Sequence, residues 1–119
     1  MNISYHKSNP RMSELVVHGN TVYSAGQVAD DCNANMSIQT QQILTNIETL
    51  LAGVGSSKEL ILSVQIWVTN LDEFNELNEI WDAWVVDGRQ PARVCVESRL
   101  ANPKWKVEMM FTAALPEEL

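Results

Sequence analysis

Two short apolar runs near the start of the chain predict a β-hairpin. The runs, Leu15–His18 and Thr21–Ala25, are separated by Gly19 and Asn20, a pair that tolerates the positive φ of a tight turn. The segment that follows, residues 26–35, is polar and rich in turn-forming residues. The first quarter of the chain therefore predicts two antiparallel strands and then a loop.

Two stretches with apolar residues at helical spacing predict two helices, over about residues 37–54 and 72–86. Each carries one apolar stripe, as a helix packed against a sheet does. The stripe residues are Ile43, Ile47, Leu50, Leu51 and Val54 in the first helix, and Phe74, Leu77, Trp81, Trp84 and Val85 in the second. We interpret the tryptophans of the second stripe as core residues rather than as a surface that stacks on a ligand.

Alternation of apolar and less apolar residues predicts three more strands. The first strand lies between the helices, at Leu60–Val68, and Leu62 is one of its alternating apolar residues. The other two strands follow the second helix, at Ala92–Arg99 and Lys106–Ala113. The predicted order is β-β-α-β-α-β-β in a single domain over residues 1–119, with two helices against one face of a mixed sheet. The other face of the sheet then needs a cover.

Two charged residues, Arg93 and Glu108, lie inside the last two predicted strands. Side chains of a strand alternate between the two faces of the sheet. If the evenly apolar side of each strand packs against the helices, both charges point onto the second face. An arginine fork can grip a small carboxylate with two hydrogen bonds, and a nearby glutamate can orient or deprotonate a water. An ion pair between neighbouring strands, or two solvated charges, explains the pattern equally well.

The composition is that of an ordinary globular protein, with 45% hydrophobic and 19% charged residues. The formal charge of −7 argues against nucleic acid as a partner, because phosphate binding needs clustered cations. No apolar run approaches the roughly 20 residues that span a bilayer, and no secretory signal precedes the hairpin, so we expect a cytoplasmic protein with no membrane partner. Cys32, Cys95, His6 and His18 lack the spacing of a metal site.

Five segments, in this order, resemble the signatures of one known family: GNTVYSAGQV, QTQQILTNIETLLAGVGSS, VTNLDEFNELNEIWDAW, PARVCVESRL and VEMMFTAA. On these residues the chain resembles the RidA/YjgF family of reactive enamine/imine intermediate deaminases, also called the RutC or L-PSP family. The resemblance covers nearly the whole chain. Ala25 stands where many members have serine, and a tyrosine of the family pocket falls near Met12, next to Arg11. These departures are typical of a divergent subgroup.

The resemblance implies a chorismate-mutase-like α+β fold in which three subunits close into a barrel with pockets at their interfaces. In such a pocket Arg93 would hold a substrate carboxylate, and Glu108 would position the hydrolytic water. The backbones of Cys95 and Gly26 would add hydrogen bonds to the substrate, and Asn78 would line or brace the pocket. The family implies neither a metal nor an organic cofactor.

The activity that the resemblance implies is hydrolytic deamination of 2-enamino and 2-imino acids, such as 2-aminoacrylate and 2-iminopropanoate, to 2-oxo acids and ammonia. A held carboxylate and an aligned water suffice for such a reaction, since positioning supplies most of the acceleration. One alternative is a pocket that binds or senses small carboxylates without catalysis. Another is the endoribonuclease activity ascribed to some relatives, against which the acidic charge of this chain weighs.

Overall fold

The predicted order of strands and helices is confirmed in the computed structural model, which describes residues 2–117. The strands are β1 (Ile3–Ser8), β2 (Ser13–His18), β3 (Thr21–Ser24), β4 (Gln27–Val28), β5 (Ile61–Val68), β6 (Ala92–Glu97) and β7 (Val107–Ala114), and the helices are α1 (Met36–Gly53) and α2 (Phe74–Trp84). Short 3₁₀ turns, Lys58–Leu60 and Leu71–Glu73, precede β5 and α2. The strands β1 and β4 are additions that the sequence pattern did not predict.

The strands form one mixed sheet in the order β1-β2-β3-β7-β5-β6, and β4 pairs with β7. The pairing of β5 with β6 is parallel, and the other pairings are antiparallel. A parallel pair needs a crossover connection, which α2 supplies. The last two strands of the chain are therefore not neighbours, because β5 lies between them.

Both helices pack on the same face of the sheet and close the core there. Asn35 caps the N-terminus of α1, since its side-chain oxygen accepts a hydrogen bond from the Ile38 backbone N–H at 2.9 Å. The predicted stripe residues Ile43, Ile47 and Leu51 have no exposed surface. The alternate residues of β7 that face them are equally buried: Val107, Met109, Phe111 and Ala113.

A β-bulge at the start of β5 overturns the predicted burial of Leu62. Ile61 pairs with Ala113 and Ser63 with Thr112, so that Leu62 is an extra residue without a partner on β7. Ile61 takes the core position with 4% of its surface exposed, and Leu62 is 52% exposed. The bulge shifts the alternation by one residue, which a strict period of two cannot anticipate.

The face of the sheet opposite the helices, which we call the open face, carries large apolar side chains. Tyr5 and Tyr23 are 65% and 48% exposed, and Val94 and Val96 are 47% and 45% exposed. The strand register places the two tyrosines on either side of Val16. A face with this composition is typical of a surface that another chain covers.

Candidate functional site

Arg93 lies on the helical side of the sheet, so the prediction that it faces away from the helices is wrong. It pairs with Val64, which is 2% exposed and pairs in turn with the buried Phe111 of β7. Paired residues project to the same face, so Arg93 shares the side of the core residues. The apolar pattern of β6 misled because Val94 and Val96 alternate as core residues do but lie on the open face.

Three residues of α2 hold the Arg93 side chain, and we call these four residues the arginine half-site. The Nη1 atom of Arg93 donates a hydrogen bond to Oδ1 of Asn78 at 2.9 Å. The guanidinium carbon lies 5.6 Å from the ring centre of Phe74 and 5.2 Å from that of Trp81, distances at which a cation is attracted to a ring face. Arg93 forms no ion pair within residues 2–117.

Glu108 points onto the open face, as predicted, and with Gly26 it forms what we call the glutamate half-site. It alternates along β7 with the buried Val107 and Met109 and is itself partly buried. Burial raises the pKa of the Glu108 carboxyl above its ordinary value of 4.5. A Cβ atom placed on Gly26 would meet Oε2 of Glu108 directly and would lie 2.9 Å from Cδ. The missing side chain of Gly26 therefore makes room for this carboxylate.

The two charges cannot neutralise each other within one protomer. They project to opposite faces, and β5 separates their strands. The alternative of an ion pair between neighbouring strands is therefore wrong for the protomer. Each charge instead belongs to its own half-site.

The remaining candidate residues, Cys95, Arg11 and Met12, belong to neither half-site. Cys95 is two residues from Arg93 on the same side of β6 and packs against the core. Burial raises the pKa of its thiol, although the Arg93 charge opposes this, and the raised pKa disfavours the thiolate form that a nucleophile needs. Arg11 and Met12 lie in the β1–β2 turn, where their backbone N–H groups donate to the Asn9 side chain.

Phe74 and Trp81 are the residues that the sequence analysis did not assign to the site. Their stripe was interpreted as core, which is correct for Trp81, since only 6% of its surface is exposed. With Asn78 they occupy positions i, i+4 and i+7 of α2 and so form one column on the helix. The sequence feature that could have identified this column is the polar Asn78 between two aromatic residues on the same side of the predicted helix.

No group of three His, Cys, Asp or Glu residues in the described part of the chain could hold a metal ion. No helix between residues 2 and 117 is long and apolar enough to cross a membrane. A cavity of about 460 Å³ lies where β5 and β6 end, but its lining contains neither Arg93 nor Glu108. The two half-sites are thus surface features of the protomer rather than parts of that cavity.

Comparison with family models matches residues 6–115 to the family described as endoribonuclease L-PSP. A RutC family protein from Haemophilus ducreyi is 40% identical over 105 residues, which cover 88% of this chain and 90% of the relative. The RutC family protein YoaB from Escherichia coli is also 40% identical, over 88% of this chain and 91% of its own length.

Solved structures of similar proteins have the same fold. A crystal structure of a protein from Pseudomonas aeruginosa is 43% identical, with a TM-score of 0.95 over 97% of this chain and all of the other. A member of the YjgF protein family from Neisseria meningitidis is 38% identical, with a TM-score of 0.96 over 99% of this chain and 98% of the other. The α+β architecture is therefore that of YjgF structures.

Proposed function

We propose that this chain, which belongs to the RutC/YjgF (endoribonuclease L-PSP) family, hydrolyses small 2-imino and 2-enamino acids to 2-oxo acids and ammonia. The observation that carries the proposal is the state of Arg93, whose guanidinium is held by an amide oxygen and two rings and by no acid within residues 2–117. Its charge is free to bind an anion, and a guanidinium fits a carboxylate with two hydrogen bonds.

The chemistry needs little beyond this anchor and a base. An enamine tautomerises to an imine, whose protonated form has an electrophilic C2. In the proposed reaction the Glu108 carboxylate takes a proton from a water as the water oxygen bonds to C2. Glu108 then gives that proton to the nitrogen. The C2–N bond breaks with its electron pair leaving on ammonia, while the hydroxyl group on C2 gives its proton back to Glu108 and becomes the carbonyl of the 2-oxo acid. The raised pKa of Glu108 makes it a stronger base than an exposed glutamate.

A complete site requires more than one protomer, since the half-sites lie on opposite faces of the sheet. We propose that the arginine half-site of one copy meets the glutamate half-site of the next in a homotrimer, with one pocket at each interface. Contacts between two different surfaces of the same chain close into a ring when the rotation permits. The apolar side chains on the open face support this assembly, which would cover them.

A decay assay tests the proposed activity. An L-amino-acid oxidase converts alanine to 2-iminopropanoate, and the loss of the imine is followed with and without the protein. We expect faster decay with the wild type and with Arg89→Ala, an exposed arginine in the loop before β6, and the uncatalysed rate with Arg93→Ala. Binding of pyruvate without faster decay would replace the enzyme with a carboxylate-binding module. RNA cleavage that is lost in Arg93→Ala would favour a ribonuclease instead.

Gly26→Ala should impair hydrolysis while leaving the fold intact. The added methyl group would take the place of the Glu108 carboxylate, which can turn away because it ends a flexible side chain. We expect hydrolysis to fall by about tenfold or more, because the base is moved from its water, with little change in the melting temperature. Gly53→Ala is the matched control, since a Cβ atom there meets nothing within 4 Å. A large loss of stability in Gly26→Ala alone would contradict this role of the glycine.

A further inference from the structure

The α2 column of Phe74, Asn78 and Trp81 contacts Arg93 through neutral groups only. We infer that these three are positioning residues, which fix the guanidinium for a carboxylate ligand and leave its positive charge uncancelled. The inference rests on the proposed function in one respect, that Arg93 binds a carboxylate. It does not depend on hydrolysis.

The packing of the column favours one orientation of Arg93. Trp81 is 6% exposed, and its ring packs against that of Trp84 with centroids 5.6 Å apart. Asn78 is partly buried between the two aromatic positions. A cation that contacts two ring faces and one amide oxygen loses most of its freedom before a ligand arrives, and such preorganisation favours binding.

The contacts also decide which edge of Arg93 is available. Asn78 accepts from Nη1, whereas Nε and Nη2 donate to no group within the described residues. These two nitrogens present parallel N–H groups, the arrangement that a planar carboxylate accepts with both oxygens. The free edge therefore selects a carboxylate over a neutral carbonyl compound.

Acidic groups on the same side of β6 are directed elsewhere. Glu97 shares that side with Arg93, but its Oε2 atom accepts from the Leu71 backbone N–H at 3.2 Å. It belongs to the turn before α2 and makes no ion pair with Arg93. A carboxylate in place of the Asn78 amide would instead put a negative charge next to Nη1 of Arg93.

Asn78→Asp tests the inference, because it keeps the size and contact of the side chain but adds a charge. We expect the introduced carboxylate to hold Arg93 in place, to keep or raise the melting temperature, and to weaken the binding of pyruvate about tenfold or more, as the ion pair cancels the cation. Asn75→Asp adds the same charge at an exposed position three residues earlier on α2 and should bind pyruvate as the wild type does. Binding is measured by calorimetry on the assembled protein.

Variants of Trp81 separate the ring face from simple packing. Trp81→Phe retains a face for the cation and should keep most of the pyruvate affinity, whereas Trp81→Leu should lose more of it, with both measured at a temperature at which each variant is folded. Unchanged pyruvate affinity in Asn78→Asp would overturn the inference even if the imine is hydrolysed. Pyruvate binding with the expected losses but without imine hydrolysis would overturn the proposed enzyme and keep the inference. Absence of pyruvate binding by the wild type would overturn both.

Discussion

Arg93→Ala and Glu108→Ala, each inactive alone, should recover about a quarter of the wild-type hydrolysis when their subunits are mixed in equal amounts and reassembled in rings. Each proposed site takes its arginine from one copy and its glutamate from the next. Four combinations of neighbours are equally frequent, and one of them brings an intact arginine half-site to an intact glutamate half-site. The recovery follows from the opposite orientation of the two side chains on the sheet.

The two variants are mixed in denaturant, refolded together and assayed by the decay of 2-iminopropanoate. The same variants refolded separately and then combined should stay inactive, which controls for contamination by wild-type protein. A mixture of Arg93→Ala with Arg93→Lys should also stay inactive, since a lysine ammonium cannot reproduce the two-pronged grip. Failure of the refolded pair to recover any activity would mean that both residues act within one protomer or that the ring does not form.

The elements of the fold could be predicted because the periods of their apolar residues are local properties of the sequence. Ile43, Ile47 and Leu51 repeat at helical spacing and are fully buried in α1. The strand β1 was missed because its side chains are mostly exposed, and only its pairing with β2 makes it a strand. The position of β5 between β6 and β7 could not be predicted either, since strand order is set by long-range contacts.

The orientation of β6 could not be predicted from its own alternation. Val94 and Val96 are apolar but exposed in the protomer, whereas Arg93 and Cys95 face α2. A strand whose open side meets another subunit carries apolar residues on that side, as a strand that packs on a helix does. A single strand therefore cannot distinguish an internal core from an interface, and the register with Val64 was needed to decide.

Arg93 and Glu108 could be identified as candidate site residues because they are charged residues within apolar strands and because they match the family resemblance. Their roles are proposals. The partners of Arg93 were beyond the reach of sequence patterns. The sequence predicts that Trp81 is a core residue, and it is buried. One face of its ring nevertheless contacts the guanidinium of Arg93, which lies on a strand that follows α2 in the chain. Contacts of this kind depend on how the helix crosses the sheet.

Glu108→Gln should reduce hydrolysis by about 10²–10⁴-fold, the usual contribution of a general base, while pyruvate binding stays near that of the wild type. The glutamine keeps the shape of the side chain but cannot take a proton from water. Glu76→Gln, an exposed residue of α2, is the control and should hydrolyse the imine at the wild-type rate. An equal loss of binding and hydrolysis in Glu108→Gln would make Glu108 a structural residue.

The same carboxylate should govern the acid side of the pH profile. Hydrolysis needs the ionised form of Glu108, and burial raises its pKa above 4.5, so the wild-type rate should fall with decreasing pH at a higher pH than an exposed glutamate would give. The residual rate of Glu108→Gln should lack this decline. A decline that persists unchanged in the variant would assign it to another group.

The raised pKa also predicts how the stability of the protein depends on pH. A carboxyl whose pKa is higher in the folded state than in the unfolded state favours folding when protonated, so its contribution is complete below the unfolded pKa and is lost as the pH rises through the folded pKa. Glutamine resembles the protonated form at every pH. Glu108→Gln should therefore melt at a higher temperature than the wild type at neutral pH, and the two should converge in acid. A variant that melts lower than the wild type at neutral pH would show that a positive charge from another copy stabilises the ionised carboxylate in the assembly.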